Sequence, residues 1–306
     1  MKISDNSLEI TRVMKYIATL DVNPDLPEDG KIEVFSFPIN AKRFDTNRVI
    51  DGLLESVTDF SLSRKTQEAY SGKSQHLVRE AREQFKEWKN NTGELGEFLL
   101  FCFLEGHLNA PKILSKLELK TSNKMYVNGS DGVHFLNMND NRYQLIFGES
   151  KLEQNLTTVL KHAFNSIYDF INEVNKDGEK KSGINFERSL ISSNLEKETF
   201  SEEEKVFLSQ LIYPMQNSNA PIVDDSFGIF VGFNFDIEEA QKSKSPSEFE
   251  IFIEEELTQV IQKQQKNIRK YITDNDLIGY TFYIYILPFS KLSEHRETIL
   301  EGLIGQ

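Results

Sequence analysis

The sequence predicts an α/β protein: a mixed sheet flanked by helices, preceded by an N-terminal α+β unit. Three observations predict it. From residue 94 onward, strand-like segments alternate with segments of helical spacing. Two capping boxes, Ser201–Glu204 and Ser245–Glu248, open helices between those strands, the second with Pro246 at the first helical position. Tyr280–Leu287 is apolar on both faces, as a strand covered from both sides must be. With 306 residues, 39% hydrophobic and 27% charged, the chain can bury a core without disulfide or metal staples.

Residues 1–90 read as one unit. Leu8–Leu20 carries mixed apolar positions, and Pro24 with Pro27-Glu28-Asp29-Gly30 makes a turn. Lys31–Phe37 alternates as a strand. Val49, Ile50, Leu53, Leu54 and Val57 have helical spacing, and Leu77–Trp88 is a charged helix. Asn90-Asn91-Thr92-Gly93 breaks that helix and sets the expected boundary, with residues 91–306 as the second unit.

The second unit opens with a helix over Glu94–His107, its buried stripe formed by Leu95, Phe98, Leu99 and Cys102. Glu94 and Glu97 are expected at the margin of that stripe. Asn109-Ala110-Pro111 ends the helix. Lys112–Lys120 reads as a strand and Ser122-Asn123 as a turn. Gly129-Ser130-Asp131-Gly132 is a tight turn feeding a strand at Val133–Leu136. Met138–Arg142 is a hairpin loop, and Tyr143–Leu152 is the returning strand. A helix is expected over Leu156–Val174. Residues 177–220 read as a polar, irregular insert, apart from a short helix from Ser201 to about Ile212. Phe227–Phe235 is a strand, and the helix behind Ser245 carries Phe249, Phe252, Leu257, Val260, Ile261, Ile268 and Ile272. The order from residue 94 is helix, three strands, helix, strand, helix, strand: a mixed sheet with helical cover.

Composition excludes several functions. Acidic side chains outnumber basic ones 48 to 35, a net charge of −13, which argues against a free-standing, non-specific nucleic-acid binder. A local basic groove remains compatible. The single cysteine, Cys102, rules out intramolecular disulfides and a Cys-rich zinc site, and reads as a small buried hydrophobe in a reducing compartment. Met1–Asn6 lacks a signal-peptide layout, and the apolar run Phe98–Leu104 falls far short of the roughly 20 residues that span a bilayer. A cytoplasmic protein is expected. Gly72-Lys73-Ser74 is no P-loop, because the leading glycine is replaced by Gln67. An ATP-driven motor would lie in another chain.

The chemistry concentrates at three positions. Asp131 stands at the start of one strand, and Glu149 and Lys151 stand near the end of the next. Strand side chains alternate, so Glu149 and Lys151 share a face. Two hard carboxylates suit Mg²⁺, with Mn²⁺ as a substitute; the ammonium is a compact charge suited to orienting water or meeting phosphate charge. Glu94 and Glu97 lie three apart on the preceding helix, and Glu97 is the favoured further ligand. The expected catalytic set is Asp131, Glu149, Lys151 and Glu97, with metal held by Asp131, Glu149 and Glu97. Alternation places His134 on the opposite face from Asp131 and Val133, so it is left out. Lys120, Lys161 and His162 are candidate phosphate contacts, equally explained as an exposed face.

Asp131 followed by Glu149-Ser150-Lys151 after an apolar strand, behind a helical Glu, resembles the PD-(D/E)xK nuclease superfamily. The strings Gly93-Glu94-Leu95-Gly96-Glu97, Lys120-Thr121-Ser122, Ser130-Asp131-Gly132-Val133-His134 and Gly148-Glu149-Ser150-Lys151 resemble, more narrowly, the nuclease-subunit family of the Hachiman anti-phage defence system. Ser130 stands where the superfamily usually has Pro. The resemblance implies a restriction-endonuclease-like core and a Mg²⁺-dependent deoxyribonuclease. It also implies a superfamily-2 helicase partner that restrains the nuclease until it meets aberrant DNA. Two alternatives remain: a stand-alone restriction-type endonuclease, and a non-catalytic module regulating a helicase. Residues 1–90 and the insert 177–220 are expected to contact the partner.

Overall fold

The computed structural model describes residues 7–70, 72–88, 93–115, 129–172, 183–194, 201–213 and 220–305. The described elements open with α1 (Leu8–Val13), β1 (Lys15–Asp21), β2 (Gly30–Ser36) and a two-residue-strand hairpin, β3 (Ile39–Asn40) and β4 (Arg43–Phe44). Four helices follow: α2 (Thr46–Leu54), α3 (Val57–Ser61), α4 (Arg64–Ala69) and α5 (Ser74–Trp88). Then come α6 (Glu94–Gly106), β5 (Lys112–Ser115), β6 (Gly132–Asn137) and β7 (Arg142–Glu153). The rest is α7 (Leu156–Ile171), α8 (Gly183–Asn194), α9 (Glu202–Ile212), β8 (Ile222–Asn234), α10 (Glu238–Ser243), α11 (Pro246–Asp274), β9 (Thr281–Phe289) and α12 (Leu292–Ile304).

Among the described residues, seven strands form one sheet in the order β1-β2-β9-β8-β7-β6-β5. The centre, β2-β9-β8-β7, is parallel, and both margins turn antiparallel. The expected mixed α/β sheet with helical cover is therefore present. The sheet also crosses the boundary expected at residue 90. β1 and β2 come from the N-terminal unit, and β2 pairs with β9 from Gly30↔Phe282 to Val34↔Ile286. The alternation of Lys31–Phe37 fixes a strand but not its partner, so sequence alone left that strand in a separate unit.

Helix α6 sits at the centre of one layer. All 13 of its residues are buried, Glu94 and Glu97 included, which corrects the expectation that both glutamates lie at a margin. The sheet covers one side of α6, and the N-terminal segment covers the other. The ring of Phe60 in α3 lies 4.9 Å from Phe98 and 5.5 Å from Phe101. A helix apolar nearly all round must be enclosed in this way. Two glycines let it approach β7: a Cβ on Gly148 would stand 2.9 Å from Leu100, and one on Gly96 would stand 3.1 Å from Ser150 Oγ.

The opposite face carries α7 and α11. Phe147 stacks towards Phe170 of α7 at 5.6 Å, and Phe164 meets Phe282 at 5.4 Å. Even-numbered residues of β7 therefore face α6 and odd-numbered ones face α7. Asn155 caps α7 by accepting from the Thr158 amide, and Ser245 and Glu248 form the predicted capping box of α11. Several helices escaped the sequence reading, among them α4 and α10. α8 lies inside the segment read as irregular, and α12 follows the last strand with its C-terminus closed by Gly305 in the left-handed region, at φ 74°. The strand expected to run on to Lys120 is described only as far as Ser115; Lys120-Thr121-Ser122 and the turn at Ser122-Asn123 lie outside the described residues. Among the described residues, no helix is long and apolar enough to cross a membrane.

Candidate active site

The parallel strand β7 ends where β6 begins, and the candidate residues gather at that end. Along β6 and β7 the register runs Val133↔Phe147, His134↔Ile146 and onward. At Asp131 it slips by one: the Asp131 amide donates to Gly148 O at 2.8 Å, where the regular ladder would pair Asp131 with Glu149. A one-residue slip at a strand end behaves as a bulge and re-aims the side chain.

The re-aimed carboxylate meets Ser150. Asp131 Oδ2 accepts from the Ser150 main-chain amide at 2.8 Å and from Ser150 Oγ at 2.7 Å. It thus occupies the ladder position that β6 vacates, between the two faces of the sheet. Ser150 itself points towards α6. Asp131 also lines a small cavity of about 10 Å³, on the scale of a single water site, with Glu97, Lys112, His134, Phe60 and Phe101. Asp131 and His134 therefore share this cavity, although strict alternation set them on opposite faces; the bulge is the reason.

Glu149 and Lys151 share the other face of β7, as alternation predicted. Lys151 Nζ lies 2.5 Å from Glu149 Oε1, which is buried; Lys151 is 33% exposed, so the pair opens to solvent on its ammonium side. The structure thus brings Asp131 to Glu97 on the α6 side, and Glu149 to Lys151 on the α7 side. The two pairs adjoin through residues 148–150 of β7. Among the described residues, no three His, Cys, Asp or Glu side chains stand together as a ready-made metal cage.

The cavity wall is held by buried polar contacts. Lys112 Nζ donates to Asp59 O at 2.9 Å and stands 5.4 Å from the Phe101 ring centroid. The Lys112 amide donates to Glu105 Oε1 at 2.8 Å. His134 Nδ1 lies 2.8 Å from Ala110 O. Burial pushes the His134 imidazole down to about 4, against a smaller opposing effect of the Ala110 hydrogen bond and with a further push from the nearby Lys112 charge. His134 is therefore neutral across the physiological range. Burial also drives the Cys102 thiol well above its ordinary value, in keeping with an inert core residue.

The HamA family model matches residues 13–303 of 306. The chain belongs to the HamA family. That membership bears out the narrower of the two resemblances and attaches the chain to Hachiman anti-phage defence. No curated protein matches the chain. The match begins at Val13, so the strands contributed by the N-terminal unit belong to the HamA unit itself. His162 pairs with Glu153 at 2.8 Å, and Lys161 is exposed on α7. Sequence reasoning missed Ser150, hidden as the variable position of Glu-x-Lys, and Lys112, which only the closure of α3 over β5 brings to the cavity. It also missed Glu187, which accepts a hydrogen bond from Ser130 Oγ. The signal for its helix was a short apolar pattern, Ile184 with Leu190 and Ile191 two turns on.

Proposed function

We propose that this HamA-family chain is a metal-dependent DNA nuclease with a PD-(D/E)xK core, the effector of a helicase–nuclease pair in anti-phage defence. The observation that carries the reading is the bulged start of β6. It sets the Asp131 carboxylate beside residues 148–150, next to an accessible Glu149–Lys151 pair. The succession α6, β5, β6, β7, α7, β8, with β6 antiparallel and β8 parallel to β7, supports the superfamily reading.

The donor set fits magnesium. Mg²⁺ takes one or two carboxylates from protein and fills its remaining positions with water and phosphate oxygens, so a three-carboxylate cage is not required. Asp131 and Glu149, which adjoin through residues 148–150, would hold the metal; Glu97 would stand by on the α6 side, beside Asp131 and across the strand from Glu149. When bound, the ion lowers the pKa of a coordinated water and offsets charge on the scissile phosphate. The chain supplies the rest. Ser150 fixes one oxygen of Asp131 by two hydrogen bonds, and Glu149 holds the Lys151 ammonium at the accessible face. Lys151 orients the attacking water and meets the charge that develops on the phosphate. Burial of Asp131 and Glu97 in a small cavity keeps competing water few.

The helicase partner, of superfamily 2, would present the DNA. A chain with net charge −13 attracts a polyanion poorly by itself. Titration calorimetry with Mn²⁺ tests the metal site: binding by the wild-type chain, lost in Asp131→Ala and in Glu149→Ala, supports the nuclease. Absence of binding in the wild type favours a non-catalytic module that regulates the helicase.

A further inference from the structure

We infer that Glu187, in the segment read as a polar insert, is a positioning residue for Asp131; this rests on Asp131 being the carboxylate of the proposed site. Ser130 and Glu187 are both buried, at 4% and 1% exposure, and lie 57 residues apart in sequence. Ser130 Oγ donates to Glu187 Oε1 and also lies 3.2 Å from Gly132 O. One hydroxyl therefore touches α8 and spans the residue whose orientation matters.

That residue needs support from outside the ladder. Asp131 is aimed at Ser150 only because the register slips there, and a bulge lacks the regular hydrogen bonds that hold a strand. The Ser130 hydroxyl supplies a hold on one side of Asp131, and the Ser150 amide and hydroxyl supply the other. Glu187 has a rigid base. Its neighbour Arg188 pairs with Asp225 of β8 at 2.7 Å, with both side chains under 20% exposed, which ties α8 to the sheet. Burying a carboxylate is costly unless its hydrogen bonds are met. A buried carboxylate at this contact fits fixing a local geometry better than adding bulk stability. The connected path is Glu187, Ser130, Asp131, Ser150.

Amide hydrogen exchange in the full chain tests this without metal or DNA. The reporter is the Ser150 amide, whose acceptor is Asp131 Oδ2. Glu187→Ala should raise its exchange rate roughly tenfold, as expected when a buried hydrogen-bond partner is removed. Glu187→Gln keeps a carbonyl acceptor for the Ser130 hydroxyl and should restore protection to within about twofold of wild type. Ser130→Ala, which leaves Glu187 in place, should match Glu187→Ala, and the double variant should add nothing further. Should Glu187→Ala not fold, Ser130→Ala against Glu187→Gln decides the matter. An anchor for α8 alone would instead raise exchange at Leu190 and Ile191 and leave Ser150 protected, which would overturn the inference. So would additive effects in the double variant. A wild-type chain that binds no Mn²⁺ would remove the nuclease reading while leaving the exchange result standing.

Discussion

Ser150→Ala isolates the contact on which the site's geometry depends. In the wild type, a buried carboxylate oxygen of Asp131 accepts two hydrogen bonds, at 2.8 Å from the Ser150 amide and 2.7 Å from its hydroxyl. The variant removes the second and leaves the first. A hydrogen bond to a charged group contributes about 1.5–3 kcal/mol, and here no bulk water replaces it, because Asp131 is only 8% exposed. The hole left behind is a single oxygen facing Gly96, so the cavity contribution is small. The expected loss is about 2 kcal/mol, or about 3 °C in Tm for a chain of 306 residues. Differential scanning calorimetry reads it, and a cycle with Asp131→Asn apportions it. The two substitutions should be non-additive by about 1 kcal/mol or more, since each removes the same bond. A Tm within 1 °C of wild type, or strict additivity, would refute the argument that Ser150 holds Asp131.

Three further outcomes follow from the fold. His134 is neutral and buried when folded, at about 4, but titrates near 6.5 when unfolded, so the unfolded state binds more protons between those values; stability is full above pH 6.5 and falls by up to about 3 kcal/mol as pH drops towards 4. Urea titrations across that range should show the loss, and His134→Gln should flatten it. Gly148→Val places methyls where even a Cβ would stand 2.9 Å from Leu100 and 3.2 Å from Gly132 O, so the Leu100 side chain or the β6–β7 backbone must give; circular dichroism melts should show a loss of about 1–3 kcal/mol, whereas no loss would mean that this contact is loosely packed. Deleting residues 1–90 strips β1 and β2 from the sheet and uncovers α6, so the remainder should lack a cooperative melt; a cooperative, soluble fragment would show that the unit folds apart from the sheet.

The sequence spoke clearly where chemistry is local. The capping boxes at Ser201 and Ser245, the strand at Tyr143–Leu152 and the shared face of Glu149 and Lys151 are all fixed by neighbours a few residues away, and the structure reproduces each. It was silent where the deciding partner is distant. Nothing in Lys31–Phe37 says that β9, some 250 residues on, is its neighbour. Glu94 and Glu97 read as marginal because the covering residue, Phe60, belongs to a helix assigned to another unit. Period-two alternation also fails at a bulge, and so it set Asp131 and His134 on opposite faces when both line one cavity.

Cleavage of DNA in the presence of Mg²⁺ is the most direct test of the nuclease reading. Linear and circular duplexes would be incubated with the chain alone and with its adjacent helicase, each beside Lys151→Ala and Glu149→Ala variants whose melts match wild type. The account predicts cutting that requires Mg²⁺ and both side chains and that the helicase controls. Cutting by the chain alone that added helicase leaves unchanged would point to a stand-alone endonuclease. Cutting that persists in both variants would contradict the assignment of Glu149 and Lys151 to the catalytic site.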